Sequence, residues 1–345
     1  MMSAPYYTAV FALGAFVFSA GVTYTILRWR PFLDWPNPRS AHAVATPRGG
    51  GIGIVVASLA GLLALQLWVE GARMPSPGFA GFVAGALAIA AVGLIDDIRA
   101  LAWAPKLLAQ ALAVVFLLAG GAHFETLYVP GVGPIALGQA GWLVTFVWAL
   151  GLANAYNFMD GLDGLAAGTG VLSGLALALV ALALGAHPVA GGAVLVAAAS
   201  AGFLLFNLAP ARIFMGDVGS LFLGFAFAGL AVFLAAHDKS GLLIYLGPLV
   251  LFHFVFDTVV TFVRRLLRGE NIAAAHKSHL YQRLNQSGWS HTQVSLAHYA
   301  MSLVQGACAL WLAWSTSPAA LAGFVVVLGV QIVYAGYVGR KHPIA

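Results

Sequence analysis

Apolar residues in this chain do not alternate with polar ones. They run nearly unbroken, stop at short clusters of Gly, Pro, Asp, Asn and Arg, and resume. A bilayer core is about 30 Å thick, so a helix rising about 1.5 Å per residue crosses it in about 20 apolar residues. Eleven stretches approach that length: 6–27, 50–69, 79–95, 105–120, 141–156, 165–185, 190–208, 219–236, 242–262, 292–314 and 319–338. The pattern predicts an all-α polytopic membrane protein with about 11 transmembrane helices in a single domain, 1–345. The first stretch reads as a retained anchor, because positive charge follows it (Arg28, Arg30) and none precedes it. Between 121 and 140, Gly and Pro predict an outer loop or hairpin.

Composition agrees: 61% of residues are hydrophobic and 8% charged, against about 25% charged in soluble chains. The 41 glycines sit inside the apolar runs, as in membrane helices. The single cysteine, Cys308, excludes an internal disulfide and a cysteine metal site.

Charge supplies orientation. With an odd number of spans and the amino terminus outside, only Arg73 and Lys239 of the 16 Lys and Arg fall on the outer side. Basic residues mark cytoplasmic loops, so the N-terminus is expected in the periplasm and the C-terminus in the cytoplasm. The pI of about 9.5 then reflects topology and anionic lipid, and requires no nucleic acid.

The acids change the picture further. Eight of the 11 Asp and Glu fall on the same inner side: Asp34, Asp96, Asp97, Asp160, Asp163, Asp217, Asp257 and Glu270. Attraction to anionic lipid would not favour that side. Asp96, Asp97, Asp160, Asp163 and Asp217 stand at helix ends in short loops that can converge, which suits Mg²⁺, an ion that takes oxygen ligands and fills its shell with water and substrate phosphate. Asn154, Asn157, Asp160 and Asp163 recur every third position, a spacing that aligns them on one helical face. Asp217 opens a span, as a carboxylate on the helix dipole or a metal ligand. Asp257 lies inside its span, a functional candidate or a partner-bonded packing residue.

A basic strip follows, Arg264, Arg265 and Arg268, then His276 to Leu284. If 276–284 is helical, His276, His279 and Arg283 share a face that suits a phosphate-bearing ligand. Arg48 precedes the glycines 49–51, which either let backbone N–H groups approach an anion or serve helix packing. The Gly-Lys-Ser/Thr ending of a nucleotide P-loop is absent.

Arg39-Ser40 with His42, Thr46-Pro47-Arg48-Gly49-Gly50-Gly51, Asp96-Asp97, the stretch Asn154 to Gly168, Phe214 to Ser220 and the His276 to Arg283 segment occur in this order. Over residues 30–285 the chain thereby resembles the polyprenyl-phosphate N-acetylhexosamine-1-phosphate transferases (glycosyltransferase family 4). It looks most like members that start bacterial O-antigen and related surface glycans. Three consecutive histidines in the last inner loop typify the phospho-MurNAc-pentapeptide transferases, the alternative reading. Here Lys277-Ser278 interrupt them. The GlcNAc-1-phosphate branch typically reads His-Ile-His-His there, which also differs, so the donor sugar stays open.

The resemblance implies transfer of a sugar 1-phosphate from a UDP-N-acetylhexosamine to undecaprenyl phosphate in the bilayer, releasing UMP, at the cytoplasmic face of the inner membrane. It implies Mg²⁺, replaceable by Mn²⁺, with Asn157 and Asp217 as ligands. Asp96 and Asp97, for the acceptor phosphate or the metal, join Asp160 and Asp163 as the catalytic candidates. Arg48, Lys106, Asn154, His276, His279 and Arg283 are the substrate-binding candidates. Homodimer formation is left open. A phosphate monoester is mostly dianionic at pH 7, its second pKa being about 6, so direct attack is expected over a phospho-aspartate. The competing class, a cation transporter, calls for acids spread through the bilayer depth.

Overall fold

A computed structural model describes residues 4–35, 45–271, 274, 276–315 and 317–341. Arg39, Ser40 and His42 lie outside the described residues. Lipid offers a backbone no hydrogen-bond partner, so long apolar runs satisfy their amides internally, as helices. In chain order these are α1 (Ala4–Trp29), α2 (Gly51–Trp68), α3 (Ser76–Arg99), α4 (Trp103–Ala119), α5 (Gln139–Phe158), α6 (Leu165–Ala183), α7 (His187–Asn207), α8 (Asp217–Ala235), α9 (Leu246–Val250), α10 (Phe252–Leu267), α11 (Leu280–Gln286), α12 (His291–Ser315) and α13 (Ala322–Lys341).

Each of the eleven apolar stretches is helical, yet among the described residues only eight helices are long and apolar enough to cross a membrane. Three expected spans fall short for separate reasons. α4 has 17 residues. α5 has 20, but Gln139, Asn154 and Asn157 dilute it. The stretch 242–262 is broken into a 3₁₀ turn, α9 and α10, with a 74° bend between the two halves. Pro248, inside α9, has no N–H to bond the carbonyl one turn back, so regular helix gives way there. If that bent pair is one span, the number is nine.

α8 is the buried axis of the bundle, packed against α2, α3, α5 and α7. Its entry crosses α2 so closely that a Cβ on Gly51 would lie 2.4 Å from the Cα of Gly219. That contact settles the glycine run 49–51 as a packing device. The amides of Gly50 and Gly51 donate to the carbonyls of Phe214 and Met215 at 3.0 and 2.9 Å, so neither faces an anion.

Two small antiparallel pairs complete the fold. β1 (Leu33–Asp34) pairs with β2 (Thr46–Pro47), and the next residue, Arg48, donates its N–H to Phe32 O at 3.1 Å, which fixes the root of that side chain. β3 (Thr126–Val129) and β4 (Gly133–Ala136) form the hairpin foreseen between 121 and 140, in the register Thr126↔Ala136 to Val129↔Gly133.

Candidate active site

The end of α3 and the starts of α4 and α8 meet in a layer of charge. The Asp97 side chain is completely buried and accepts the first amides of α8, Asp217 N–H at 2.9 Å and Val218 N–H at 3.1 Å. It thus caps from another helix the amides that α8 cannot satisfy itself. Such reach requires α3 to lie against α8: a Cβ on Gly93 would stand 2.5 Å from Asp217 O. Asp217, the first residue of α8, is left free to turn its carboxylate to cations instead of capping its own helix. Lys106 Nζ bridges Asp96 Oδ2, at 3.0 Å, and Asp217 Oδ2. Arg48 bridges Asp97 Oδ1 at 2.9 Å and Asp217 Oδ1 at 3.2 Å. Asp96 Oδ1 accepts Leu101 N–H at 2.7 Å, closing the turn into α4. The adjacent acids are therefore unlike: Asp97 points into the protein, while Asp96 holds Lys106 at the rim.

The loop from Phe158 to Gly164 is clamped by its own polar atoms. Tyr281 Oη donates to Phe158 O at 2.9 Å and Tyr299 Oη to Gly164 O at 2.6 Å. Asn207 Oδ1 accepts Gly164 N–H at 3.0 Å while its amide donates to Ile213 O at 2.9 Å, tying this loop to the one before α8. Asp163 serves the same seam: its Oδ2 accepts Ala211 N–H at 3.1 Å and lies 3.2 Å from His291 Nδ1. Asp160 is different. Among the described residues, no hydrogen bond or ion pair engages its half-buried carboxyl. Desolvation, and then repulsion by Asp217 against the opposing pull of Arg48, pushes its pKa well above the usual carboxylate range.

Asn157 donates its amide to Ser220 Oγ at 2.9 Å, and the fully buried Ser220 hydroxyl in turn donates to Gly216 O at 3.1 Å. That orientation leaves Asn157 Oδ1 without a donor among the described residues. Asn154 is held elsewhere, its amide donating to Gln110 of α4 at 2.9 Å and to Leu150 O at 2.8 Å. The face expected to hold 154, 157, 160 and 163 together is thus divided among separate partners, because α5 ends at Phe158.

The expected helix 276–284 begins only at Leu280, and His279 stands at its N-cap in extended backbone. The rings of His276 and His279 nevertheless lie 4.9 Å apart, with Phe158 5.8 Å from His279. Arg283 is buried in α11, and Arg264 donates to Ser278 O. Burial first, then the positive field of His279, Arg265 and Arg264, lowers the His276 pKa to about 4. Asp257, whose role the sequence left between function and packing, anchors the segment. It accepts from His279 Nδ1 at 3.0 Å and from the amides of Leu280 and Tyr281 at 2.9 and 3.0 Å.

Sequence reasoning gave no functional role to Ser220, Gln110, Tyr281, Tyr299, His291 or Asn207. The signal at Asn207 was an amide near the end of an apolar run. For the tyrosines the signal was weaker still, a hydroxyl in a segment otherwise readable as surface or core.

Among the described residues no three His, Cys, Asp or Glu side chains converge to hold a metal. A fully protein-bound ion such as structural zinc does not fit. Mg²⁺ does, since it uses one or two carboxylates and takes its remaining ligands from water and phosphate. Asp217 and Asn157 Oδ1 can supply oxygens. Asp96, Asp97, Asp160 and Asp217, when ionised, exceed Arg48 and Lys106 by two charges.

An acid layer shared with two fixed cations, at one end of a bundle of membrane-length helices, suits a membrane enzyme with phosphate-bearing substrates. The chain belongs to the polyprenyl-phosphate N-acetylglucosamine-1-phosphate transferase family. The description "Glycosyl transferase family 4" matches residues 79–235, which contain every acid of the layer and Lys106 but not Arg48 or His279. A probable undecaprenyl-phosphate N-acetylglucosaminyl 1-phosphate transferase of Bacillus subtilis (strain 168) is 33% identical over 87% of this chain and 83% of its own length. The decaprenyl-phosphate N-acetylglucosaminephosphotransferase of Mycolicibacterium smegmatis is 36% identical over 77% of this chain and 71% of its own. The phospho-N-acetylmuramoyl-pentapeptide-transferase of Leuconostoc citreum is 33% identical over 78% and 85%.

Proposed function

We propose that this enzyme transfers N-acetylhexosamine 1-phosphate from a UDP-sugar to undecaprenyl phosphate, giving undecaprenyl-diphospho-sugar and UMP, and so begins a surface glycan. The donor is UDP-N-acetylglucosamine, the sugar in the names of the Bacillus and Mycolicibacterium relatives. The observation that carries the reading is the shared layer: Arg48 and Lys106 each bridge two acids, beside an unpartnered Asp160 and a free Asn157 Oδ1.

Eleven crossings with a periplasmic N-terminus and a cytoplasmic C-terminus are part of the same proposal. Each of the eleven apolar stretches is helical, and this topology keeps 14 of the 16 basic residues on the same, cytoplasmic side as the acid layer. The soluble UDP-sugar and the acceptor phosphate then meet at that face. Beyond the bend, α10 exposes Val259, Phe262, Val263 and Leu266. Together with exposed Phe158 beside His279 they offer an apolar path for the prenyl tail.

An oxygen of the acceptor phosphate attacks the sugar-bearing phosphorus of the donor. A P–O bond forms there while the bond to the bridging oxygen breaks, and the electron pair leaves on UMP. The dianionic acceptor needs no base. Lys106 and Arg48 hold the phosphates in line and offset their mutual repulsion. His276, His279 and Arg283 face the donor diphosphate and sugar. Asp217 and Asn157 would hold Mg²⁺, whose positive charge would offset that of the diphosphate and of the departing UMP.

The test is UMP release by the purified protein with undecaprenyl phosphate, Mg²⁺ and a panel of UDP-N-acetylhexosamines. Release should require lipid and Mg²⁺, be fastest with UDP-N-acetylglucosamine and disappear in Asp217→Ala. Inertness toward every donor in a folded, lipid-supplied preparation sinks the proposal.

A further inference from the structure

Asp257 is a buried acid to which the reaction above gives no role. It is 1% exposed, in the middle of α10. Its Oδ1 accepts from Leu280 N–H at 2.9 Å, from His279 Nδ1 at 3.0 Å and from the Thr261 hydroxyl at 3.2 Å, and its Oδ2 accepts from Tyr281 N–H at 3.0 Å. An ionised carboxylate only accepts hydrogen bonds. A carboxylate that only accepts, set opposite His279 Nδ1, calls for a proton on that nitrogen, the tautomer on which the following inference stands.

Capping alone does not account for this arrangement. A neutral Asn or Ser caps a helix start as Asp does, and a buried acid is costly in an apolar helix. What a carboxylate adds is charge and a fixed acceptor opposite an imidazole. Thr261, one turn along α10, steers Oδ1, and Phe158 and Tyr281 confine the ring at centroid distances of 5.8 and 5.9 Å. His279 is 5% exposed, which leaves the ring little freedom to turn.

We propose that Asp257 is a positioning residue for the transfer. By accepting Nδ1–H it fixes the tautomer and orientation of His279 so that Nε2 is the nitrogen presented to the donor diphosphate. The same carboxylate sets the start of α11, so Arg283, on the first turn beyond, is registered by the same anchor. This role rests on the transferase reading.

The experiment joins a spectrum to a double-mutant cycle. Protein labelled with ¹⁵N-histidine is reconstituted in nanodiscs at a pH where the ring is neutral, and the His279 signal is identified by its loss in His279→Ala. The wild type should show the Nδ1–H tautomer, and Asp257→Asn should lose it. Asp257→Asn should lower kcat by about 10- to 100-fold, the cost known for removing the partner that orients a metal-binding histidine. KM for the UDP-sugar should change less than about three-fold, and the substitution should add little in a His279→Ala background. An Nε2–H wild-type ring, or losses that multiply in the double variant, overturns the proposal. Should Asp257→Asn fail to fold, the wild-type spectrum alone still decides the tautomer. An Nδ1–H ring in a protein that releases no UMP from any UDP-sugar removes the transferase reading, and the positioning role with it, but leaves the Asp257–His279 pair standing.

Discussion

Asp96 and Asp97 are neighbours of identical chemistry, yet their replacement by Ala should cost unequal amounts of stability. Asp97→Ala removes the acceptor for Asp217 N–H and Val218 N–H at the start of the most buried helix, and takes from Arg48 one of its two anions. Each buried amide left unpaired costs about 1–3 kcal/mol. The partly uncompensated Arg48, 30% exposed, adds less than a fully buried charge would. The total is on the order of 3–5 kcal/mol. Asp96→Ala loses one backbone bond, from Leu101, while Lys106 keeps Asp217, so the loss is about 1–2 kcal/mol. The two variants should therefore differ by roughly 2–3 kcal/mol in reversible unfolding by SDS in mixed micelles, followed by circular dichroism. Asp96→Ala should fold and lose turnover. Asp97→Ala should lose both in parallel, and a milder Asp97→Asn should fall between. Equal destabilisation by the two Ala variants, or an Asp97→Ala protein as stable as wild type, would refute the assignment of Asp97 as the cap of α8.

Three further outcomes follow from single contacts. Asp160→Asn should abolish turnover yet leave the unfolding midpoint unchanged or higher, because it removes a desolvated carboxyl repelled by Asp217 and breaks no bond; a loss of stability would contradict that placement. His276 has a folded pKa of about 4 against an ordinary value of 6.5. The unfolded chain therefore binds the proton first: stability is complete above pH 6.5 and is lost as pH falls toward 4. His276→Gln should remove that part of the acid sensitivity in unfolding curves taken across the interval. Gly93→Ala would press a methyl against Asp217 O, 2.5 Å away in the present packing. It should cost about 1–3 kcal/mol, with turnover falling as α8 shifts; wild-type stability would show that α3 and α8 have room to separate.

Legibility in the sequence was uneven. The helical, membrane-spanning character of the chain was readable because it depends on the length and apolarity of single runs, and each run did become helix. Where local polarity or proline intervened, as at Asn154 and Asn157 in α5 or Pro248 before α10, the runs were readable as apolar but not as straight full-length spans. The acid loops were also visible, as carboxylates at helix ends on one side of the topology.

What only the tertiary structure decided was how those groups divide the work. Asp97 faces a helix start 120 residues away, Asp163 holds a loop 48 residues away and Asp257 receives amides 23 and 24 residues on. No periodicity carries such pairings. They arise where helices cross closely enough for one side chain to meet another segment's unpaired amides, and only there do equivalent letters acquire different roles. The expected helical face of His276, His279 and Arg283 failed for the same reason: Asp257 supplies a cap at Leu280, so the helix starts there and the histidines precede it. The sequence by itself determined a membrane bundle with acids at one face, through composition and local hydrophobicity. Helix packing determined which acid is buried as scaffold and which stays partly exposed, because burial and partner are properties of the whole fold.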